Sequence, residues 1–435
     1  MISDLAPPRE AYVWVWLPGA TEPIVAGRLA SAGDEIDFIY GRSYRERTDA
    51  IPLYMPELPL VAGPIRPERG LVIANAIRDA APDAWGRRVI LNRLLGRGAD
   101  LDAAQLDELT FLLSSGSDRA GALDFQASAR DYVPRGSGGT LDELIRSAER
   151  VEHNIPLTPE LDQALHHGSS IGGARPKALI TAGDTKYIAK FSSGNDSYNV
   201  VKGEYVAMRL AAIAGIDVAP VRLEHAAGKD ILLVERFDRV HEDAGWTRRA
   251  MVSALTMLGL SEMEARYASY QDLAEEIRRR FAEPQRMLHE LFARMMFNIL
   301  VGNVDDHARN HAAFWNGHDL RLTPAYDICP QGRAGEEASQ AMLIHDDVRA
   351  SQLGACIAAA PHFHLSEARA IEIADAQLRV IAENWRAVCD EAQLGEIDRR
   401  YFWGRQFLNP YAFYSLPPAA ADLEPRARAW REQMS

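Results

Sequence analysis

The chain is poor in cysteine, in long apolar runs and in positive charge, and each shortage closes off a class of protein. Its three cysteines, Cys329, Cys356 and Cys389, are odd in number, widely spaced and free of any Cys-x-x-Cys pair. That pattern speaks against a disulfide framework and against a zinc ribbon. No apolar stretch approaches the roughly 20 residues that a membrane-spanning helix needs. The opening Met1-Ile2-Ser3-Asp4-Leu5 lacks the basic start and apolar core of a secretion signal, so a soluble cytoplasmic protein without membrane contact is expected. A net charge of -13 argues against a chain that coats nucleic acid by itself, while leaving room for a local basic patch.

What is present is an ordinary globular balance, 47% hydrophobic and 25% charged, in a 435-residue chain too long for one core. Ala11–Leu17, Ile24–Leu29 and Ile36–Tyr40 read as strands of a small N-terminal sheet. Helical spacing follows over Pro82–Leu95, with Pro82 in the first turn, and over Leu101–Ser114. The stretch 130–139, with Pro134 and three glycines, reads as a linker. Helices are expected over Leu141–Glu152 and Pro159–His167, then a hairpin around Gly183-Asp184, and a helix over Val201–Ala214 stopped by Gly215. Ile231–Asp238 reads as a buried strand that leaves the core through charged residues. From Met251 the pattern is helical almost to the end. The expected segments are 1–135, 136–245 and 246–435.

One stretch carries chemistry. An apolar run ends at Gly302, and Asn303-Val304-Asp305-Asp306-His307-Ala308-Arg309-Asn310 follows. Asp305 and Asn310 have the Asp-x-x-x-x-Asn spacing of a kinase catalytic loop, and Leu322–Asp327 is a short extended run ending in another carboxylate. Phosphoryl transfer needs an acceptor for the substrate hydroxyl proton and oxygen donors for magnesium. Carboxylate and amide oxygens suit that hard cation, which makes Asn310 and Asp327 a sensible metal pair. Upstream, in the order a kinase requires, lie Gly172 and Gly173, then Lys190 on the next hairpin and Glu204 on the next helix. The glycines allow backbone amides to approach phosphate. Lys190 would neutralise phosphate charge, and Glu204 would hold its ammonium. Backbone groups near Glu235 and Phe237 would meet an adenine edge, with Phe237 as an apolar wall. The loop lacks the Gly-x-x-x-x-Gly-Lys pattern of a P-loop enzyme. His307 and His311 have a zinc-protease spacing without the glutamate base, and His307 is read instead as ordering the loop by hydrogen bonding. Arg278-Arg279-Arg280 after Glu275-Glu276 reads as a salt-bridged, solvated helix face.

Several of these segments together resemble the HipA serine/threonine kinase toxins of bacterial toxin–antitoxin systems. They are Ser170-Ile171-Gly172-Gly173-Ala174-Arg175-Pro176-Lys177, Tyr187-Ile188-Ala189-Lys190, Val234-Glu235-Arg236-Phe237-Asp238-Arg239, the loop from Asp305 to Asn310, and Pro324-Ala325-Tyr326-Asp327. Ala80-Ala81-Pro82-Asp83-Ala84-Trp85-Gly86-Arg87 is similar to the family's N-terminal signature. The resemblance implies an α+β, two-lobed protein-kinase-like fold with an N-terminal β-containing subdomain and an α-helical C-terminal lobe. It implies Asp305 as catalytic base, Asn310 and Asp327 as magnesium ligands, and ATP contacts from Gly172, Gly173, Ala174, Lys177, Lys190, Glu204, Glu235, Phe237 and His307. It further implies autophosphorylation at Ser170, an aminoacyl-tRNA synthetase as substrate, and a helix-turn-helix antitoxin of HipB type that brings the complex to operator DNA. The family often has glycine after the catalytic aspartate, where this chain has Asp306; the spacing to Asn310 favours Asp305. A catalytically silent module within an antitoxin–DNA complex, and a small-molecule kinase of the same fold, stand as alternatives.

Overall fold

The computed structural model describes residues 8–95, 106–136, 140–153, 155, 157–158, 175–193, 196–333 and 335–434. The chain divides into two compact units built from non-contiguous segments. Unit one holds Met1–Ser193, Glu224–Val252 and Phe314–His318; unit two holds Gly194–Leu223, Ser253–Ala313 and Asp319–Ser435.

Unit one begins with a five-stranded antiparallel sheet. Its strands are β1 (Glu10–Val15), β2 (Ile24–Ala32), β3 (Glu35–Tyr40), β4 (Pro64–Ile65) and β5 (Leu123–Gln126), in the order β4-β3-β2-β1-β5. The three expected strands are present. β5 was not legible, because Asp124 and Gln126 break its apolar pattern although all four residues are buried. Gly27 in β2 is needed for close approach: a Cβ there would lie 2.2 Å from the Ile39 carbonyl oxygen.

The second sheet of this unit contains β6 (Lys177–Ala182) and β7 (Thr185–Phe191), with Gly183 at φ +61° in the turn between them. Along the chain come β8 (Val221–Ala226), of which the last residues belong to this unit, and β9 (Lys229–Glu235). β7 pairs antiparallel with β6 on one side and β9 on the other. Helix Leu141–Glu152 starts at a capping box of Thr140 and Glu143. Its inner face (Leu144, Ile145, Ala148 and Val151) packs with Trp85 and Val89 on Ala178, Ala189, Phe191, Ile231 and Leu233. Burying each large member of such a core stabilises by roughly 1.5–3 kcal/mol.

Three expectations need correction. The helix expected over Leu101–Ser114 begins at Glu108, where Asp107 accepts the Thr110 N–H at 2.9 Å and so caps the first turn. The strand expected to reach Asp238 ends at Glu235, and Arg236, Asp238 and Arg239 do not lead out of the core: all three are buried. The chain after Met251 is less helical than expected, since Ala312–Trp315 and Leu320–Leu322 are strands and 323–352 holds only isolated bridges among its described residues. The helix expected over Pro159–His167 lies outside the described residues.

Unit two is helical. Pro284–Leu300 is its central element, packed against Tyr270–Arg280 and Glu367–Glu391. Helix Val200–Ile213 crosses Phe402 so closely that a Cβ on Gly203 would lie 2.5 Å from that ring. Glu275 pairs with Arg278 and Arg279, and Glu276 with Arg280, on the exposed face expected of that segment. Among the described residues no helix is long and apolar enough to cross a membrane. Cys329, Cys356 and Cys389 are buried and form no disulfide, and burial pushes the Cys389 thiol up to about 12.

Candidate active site

The loop after helix Pro284–Leu300 owes its shape to how that helix stops. Gly302 takes φ +72°, the Gly302 N–H reaches the Ile299 carbonyl at 3.2 Å, and the Asn303 N–H reaches that of Asn298 at 2.8 Å. These two bonds form a Schellman ending, which reverses the chain sharply. A Cβ at Gly302 would also lie 2.7 Å from the Gln406 carbonyl oxygen, so glycine is required twice over.

From there the two adjacent aspartates point opposite ways. Asp306 is buried, and its Oδ2 accepts from Asn298 Nδ2 at 2.7 Å, from His311 Nε2 at 3.0 Å and from the Tyr270 hydroxyl. Asp305 is exposed. It still sits low enough among its neighbours that partial desolvation raises its carboxyl above the usual value; the Asp327 charge adds to the rise and His307 opposes it. A carboxylate that feels a second carboxylate and has no guanidinium among those influences is suited to take up a proton or share a cation. Two more bonds shape the turn: the Asn310 N–H reaches the His307 carbonyl at 2.8 Å, and Asn310 Nδ2 donates to the Asp305 carbonyl at 3.2 Å. The amide therefore presents Oδ1 on the side away from the loop backbone. His307 supplies its carbonyl rather than its ring here, since its Nδ1 is shielded and has no hydrogen-bond partner among the described residues.

Asp327 is held from the same unit. Arg294, buried in the central helix, donates to the Thr323 carbonyl at 2.9 Å and the Asp217 carbonyl at 3.2 Å. Ala325 is bracketed by Asp217 and Ala219 through backbone bonds of 2.7 and 2.9 Å. The Tyr326 hydroxyl donates to the Arg309 carbonyl at 2.7 Å, tying this run to the loop that carries Asp305. Asp327 itself adopts φ +61°, a left-handed conformation that a non-glycine residue holds only when its surroundings impose it. Asn303, Asp305, Asn310 and Asp327 are thus brought together in unit two, and the donor set of carboxylate and amide oxygen fits a hard divalent cation. Glu204 is buried on helix Val200–Ile213 of the same unit.

Unit one carries the other candidates. Lys190 on β7 stands directly opposite Lys177 on β6, so both side chains share a face of the sheet. Lys177 is buried, and its ammonium pairs with Asp83 at 3.2 Å while the Trp85 indole donates to the Lys177 carbonyl at 3.2 Å. The signature Ala80–Arg87 thereby clamps the start of β6. Glu235 ends β9, and Phe237 lies edge-on to Phe314 with centroids 5.8 Å apart. Ser170, Gly172, Gly173 and Ala174 lie outside the described residues.

Sequence reasoning missed the residues behind the site. Asn298 and Arg294 were readable as polar interruptions of an apolar helix, and Arg236 to Arg239 as dense charge at the end of an apolar strand. Tyr270 and Asp118 carried no local signal.

Fold and loop together define a kinase-like α+β protein. The HipA N-terminal domain matches residues 15–126 and the HipA-like C-terminal domain matches residues 169–387. The chain belongs to the HipA kinase family. Y4mE of Sinorhizobium fredii, which carries a kinase name, is 28% identical over 341 residues, spanning 72% of this chain and 76% of that one. The serine/threonine-protein kinase toxin HipA of Shewanella oneidensis is 28% identical over 208 residues, 41% of this chain and 47% of that one. A solved structure of the S. oneidensis HipA, HipB and operator DNA complex contains a chain of the same fold. It matches with a TM-score of 0.67 at 20% identity, over 97% of both chains.

Proposed function

We propose that the chain is an ATP- and magnesium-dependent serine/threonine protein kinase that acts as the toxin of a toxin–antitoxin pair. The observation that carries this reading is the opposed pair Asp305 and Asp306. One carboxylate is anchored in the core while its neighbour stands exposed beside Asp327, where a base and a metal ligand are both needed. Asp305 accepts the substrate hydroxyl proton. Asn310 Oδ1 and the Asp327 carboxylate hold magnesium, whose role is to neutralise phosphate charge. Lys190 is the residue for the nucleotide phosphates, Glu204 fills the place of the supporting glutamate in the kinase series, and Glu235 with Phe237 receives the base. Gly172, Gly173, Ala174 and Lys177 complete the nucleotide-binding residues of this reading, together with His307 near Asp305.

The substrate in this reading is an aminoacyl-tRNA synthetase, and phosphorylation of Ser170 shuts the enzyme down by adding about -1.5 to -2 charges where anionic ATP must enter. The partner is a helix-turn-helix antitoxin of HipB type, through which the complex reaches operator DNA. The S. oneidensis HipA, which shares the fold, assembles with HipB and operator DNA in its own complex and so supports that choice of partner. Incubation with magnesium-ATP followed by peptide mass spectrometry tests the reading. Phosphate should accumulate on Ser170 in the parent and be absent from Asp305→Asn. Transfer that survives in Asp305→Asn would remove Asp305 from the base role.

A further inference from the structure

We propose that Asp306 is a positioning residue whose buried carboxylate sets the geometry of both the catalytic base and the metal-binding run; the proposal rests on the kinase reading above. Three donors from three different elements converge on its Oδ2. Tyr270 comes from the first turn of helix Tyr270–Arg280, Asn298 from the last turn of Pro284–Leu300, and His311 from the chain leaving the loop. The His311 contact requires a proton on Nε2. The cluster also reaches past the loop. Asn298 Oδ1 accepts from Asn303 Nδ2 at 3.0 Å, and the same Nδ2 lies 3.4 Å from the Asp327 carbonyl oxygen.

A continuous path of polar contacts therefore joins the anchor of Asp305 to the backbone of Asp327. Every side chain on it is buried up to the last link: Asn298, Asn303, Asp306 and His311 are each 3% exposed or less. Buried charge-assisted hydrogen bonds of this kind are strong and directional. Asp305 and Asp306 are consecutive, the first exposed and the second buried, so fixing Asp306 inward holds Asp305 outward. A glycine at this position could make none of these contacts. In this chain the loop is held by a side chain rather than by its backbone alone.

The test uses the full chain and compares the parent with Asp306→Asn and Tyr270→Phe. The readouts are single-turnover phosphoryl transfer, magnesium-ATP affinity and amide hydrogen exchange. The amide of Asp306→Asn keeps the shape and one acceptor oxygen but loses the charge. It should lower the transfer rate by about 10- to 100-fold, the usual range for outer-shell supports of a reactive site. Magnesium-ATP affinity should fall far less, within about threefold, because the cluster reaches the metal-binding run only through the Asp327 backbone carbonyl and the Asp327 carboxylate itself remains. Exchange should quicken over 303–310 and near Asp327, and nowhere else. Tyr270→Phe, which removes one donor without touching charge, should show the same split more weakly, and stands in if Asp306→Asn does not fold. A transfer rate per folded molecule within twofold of the parent would overturn the proposal. So would a uniform rise in exchange with rate and affinity falling together, the signature of general destabilisation. If the parent transfers no phosphate at all, the kinase reading fails, while exchange over 303–310 still decides whether Asp306 orders the loop: unchanged exchange there rejects it.

Discussion

Both units bury carboxylates, and they treat them in opposite ways. In unit one, Asp118 accepts from Lys186 at 2.6 Å, Arg236 at 3.0 Å and Arg239 at 2.9 Å. Asp238 accepts from Arg236 at 2.8 Å, Arg239 at 2.9 Å and the Gly121 N–H at 2.8 Å, and Asp124 is paired with Arg119 and Arg135. Burial by itself would raise Asp118, but Arg236, Arg239 and Lys186 hold its carboxyl well below the usual range. In unit two, Asp306 meets a hydroxyl, an amide and an imidazole, while Asp305 is raised. The difference separates a joint from a candidate reactive site. Carboxylates saturated with guanidinium cannot accept a proton near neutrality, and their gain is rigidity of the segment that joins β5 to the end of β9. Asp306 is satisfied by hydrogen bonds instead of guanidinium, and Asp305, exposed and without a guanidinium partner, is the carboxylate suited to a substrate proton or a metal.

Replacing charge on each side of this contrast should therefore have different consequences. The largest effect is expected at Asp305. Asp305→Asn should lose about 10²- to 10⁴-fold in transfer rate, the range a general base contributes, with ATP affinity within a few-fold in equilibrium titration. A comparable energy should appear as stability rather than rate at Asp238. Asp238→Ala leaves Arg236 and Arg239 buried with fewer partners and should destabilise unit one by about 3–5 kcal/mol. Urea unfolding followed by hydrogen exchange in β9 would measure it, and transfer per folded molecule should be retained. If instead Asp238→Ala leaves stability intact and abolishes transfer, the distinction between joint and reactive site collapses.

Asp327→Ala comes next. It should weaken magnesium-dependent nucleotide binding by at least about tenfold, or roughly 1.4 kcal/mol, with little change in metal-free binding, as isothermal titration would read. Smallest in size, and sharpest as a contrast, is the response to pH. The depressed carboxyl of Asp118 contributes stability that is complete above its unfolded value, about 3.9, and is lost as pH falls through its lower folded value. The raised carboxyl of Asp305 has the opposite sign: it costs stability as pH rises through its folded value, so Asp305→Asn should be at least as stable as the parent at pH 7. The same rise places the acid limb of the transfer rate above the ordinary aspartate range, because the base must be deprotonated to act. A limb at or below about 3.9 would contradict that assignment.

How far the sequence could be read depends on the kind of contact. Strands β1 to β3, the hairpin around Gly183, helix Leu141–Glu152 and the stop at Gly215 were readable because each is governed by residues within a few positions of one another. Asp305, Asn310 and Asp327 could be proposed as a set for a similar reason, since phosphoryl transfer calls for certain residue types at fixed spacing. Strand β5 went unread and the charged run Arg236–Arg239 was misread because their interior position depends on partners more than a hundred residues away. Arg236 is held by Asp118, across 118 positions, and no local pattern announces such a pair.

The adjacent aspartates show where that line falls. Their presence, and the spacing that favours the first as the base, are properties of the sequence. That Asp306 is turned inward depends on Tyr270, 36 positions away in the chain, and on Asn298 at the end of a helix whose direction is set by its burial against two others. Local sequence determines which groups can do chemistry, because bond geometry and spacing act over a few residues. Only the tertiary structure decides which of two identical carboxylates faces solvent, because desolvation and hydrogen-bond satisfaction are settled by whatever the folded chain brings alongside.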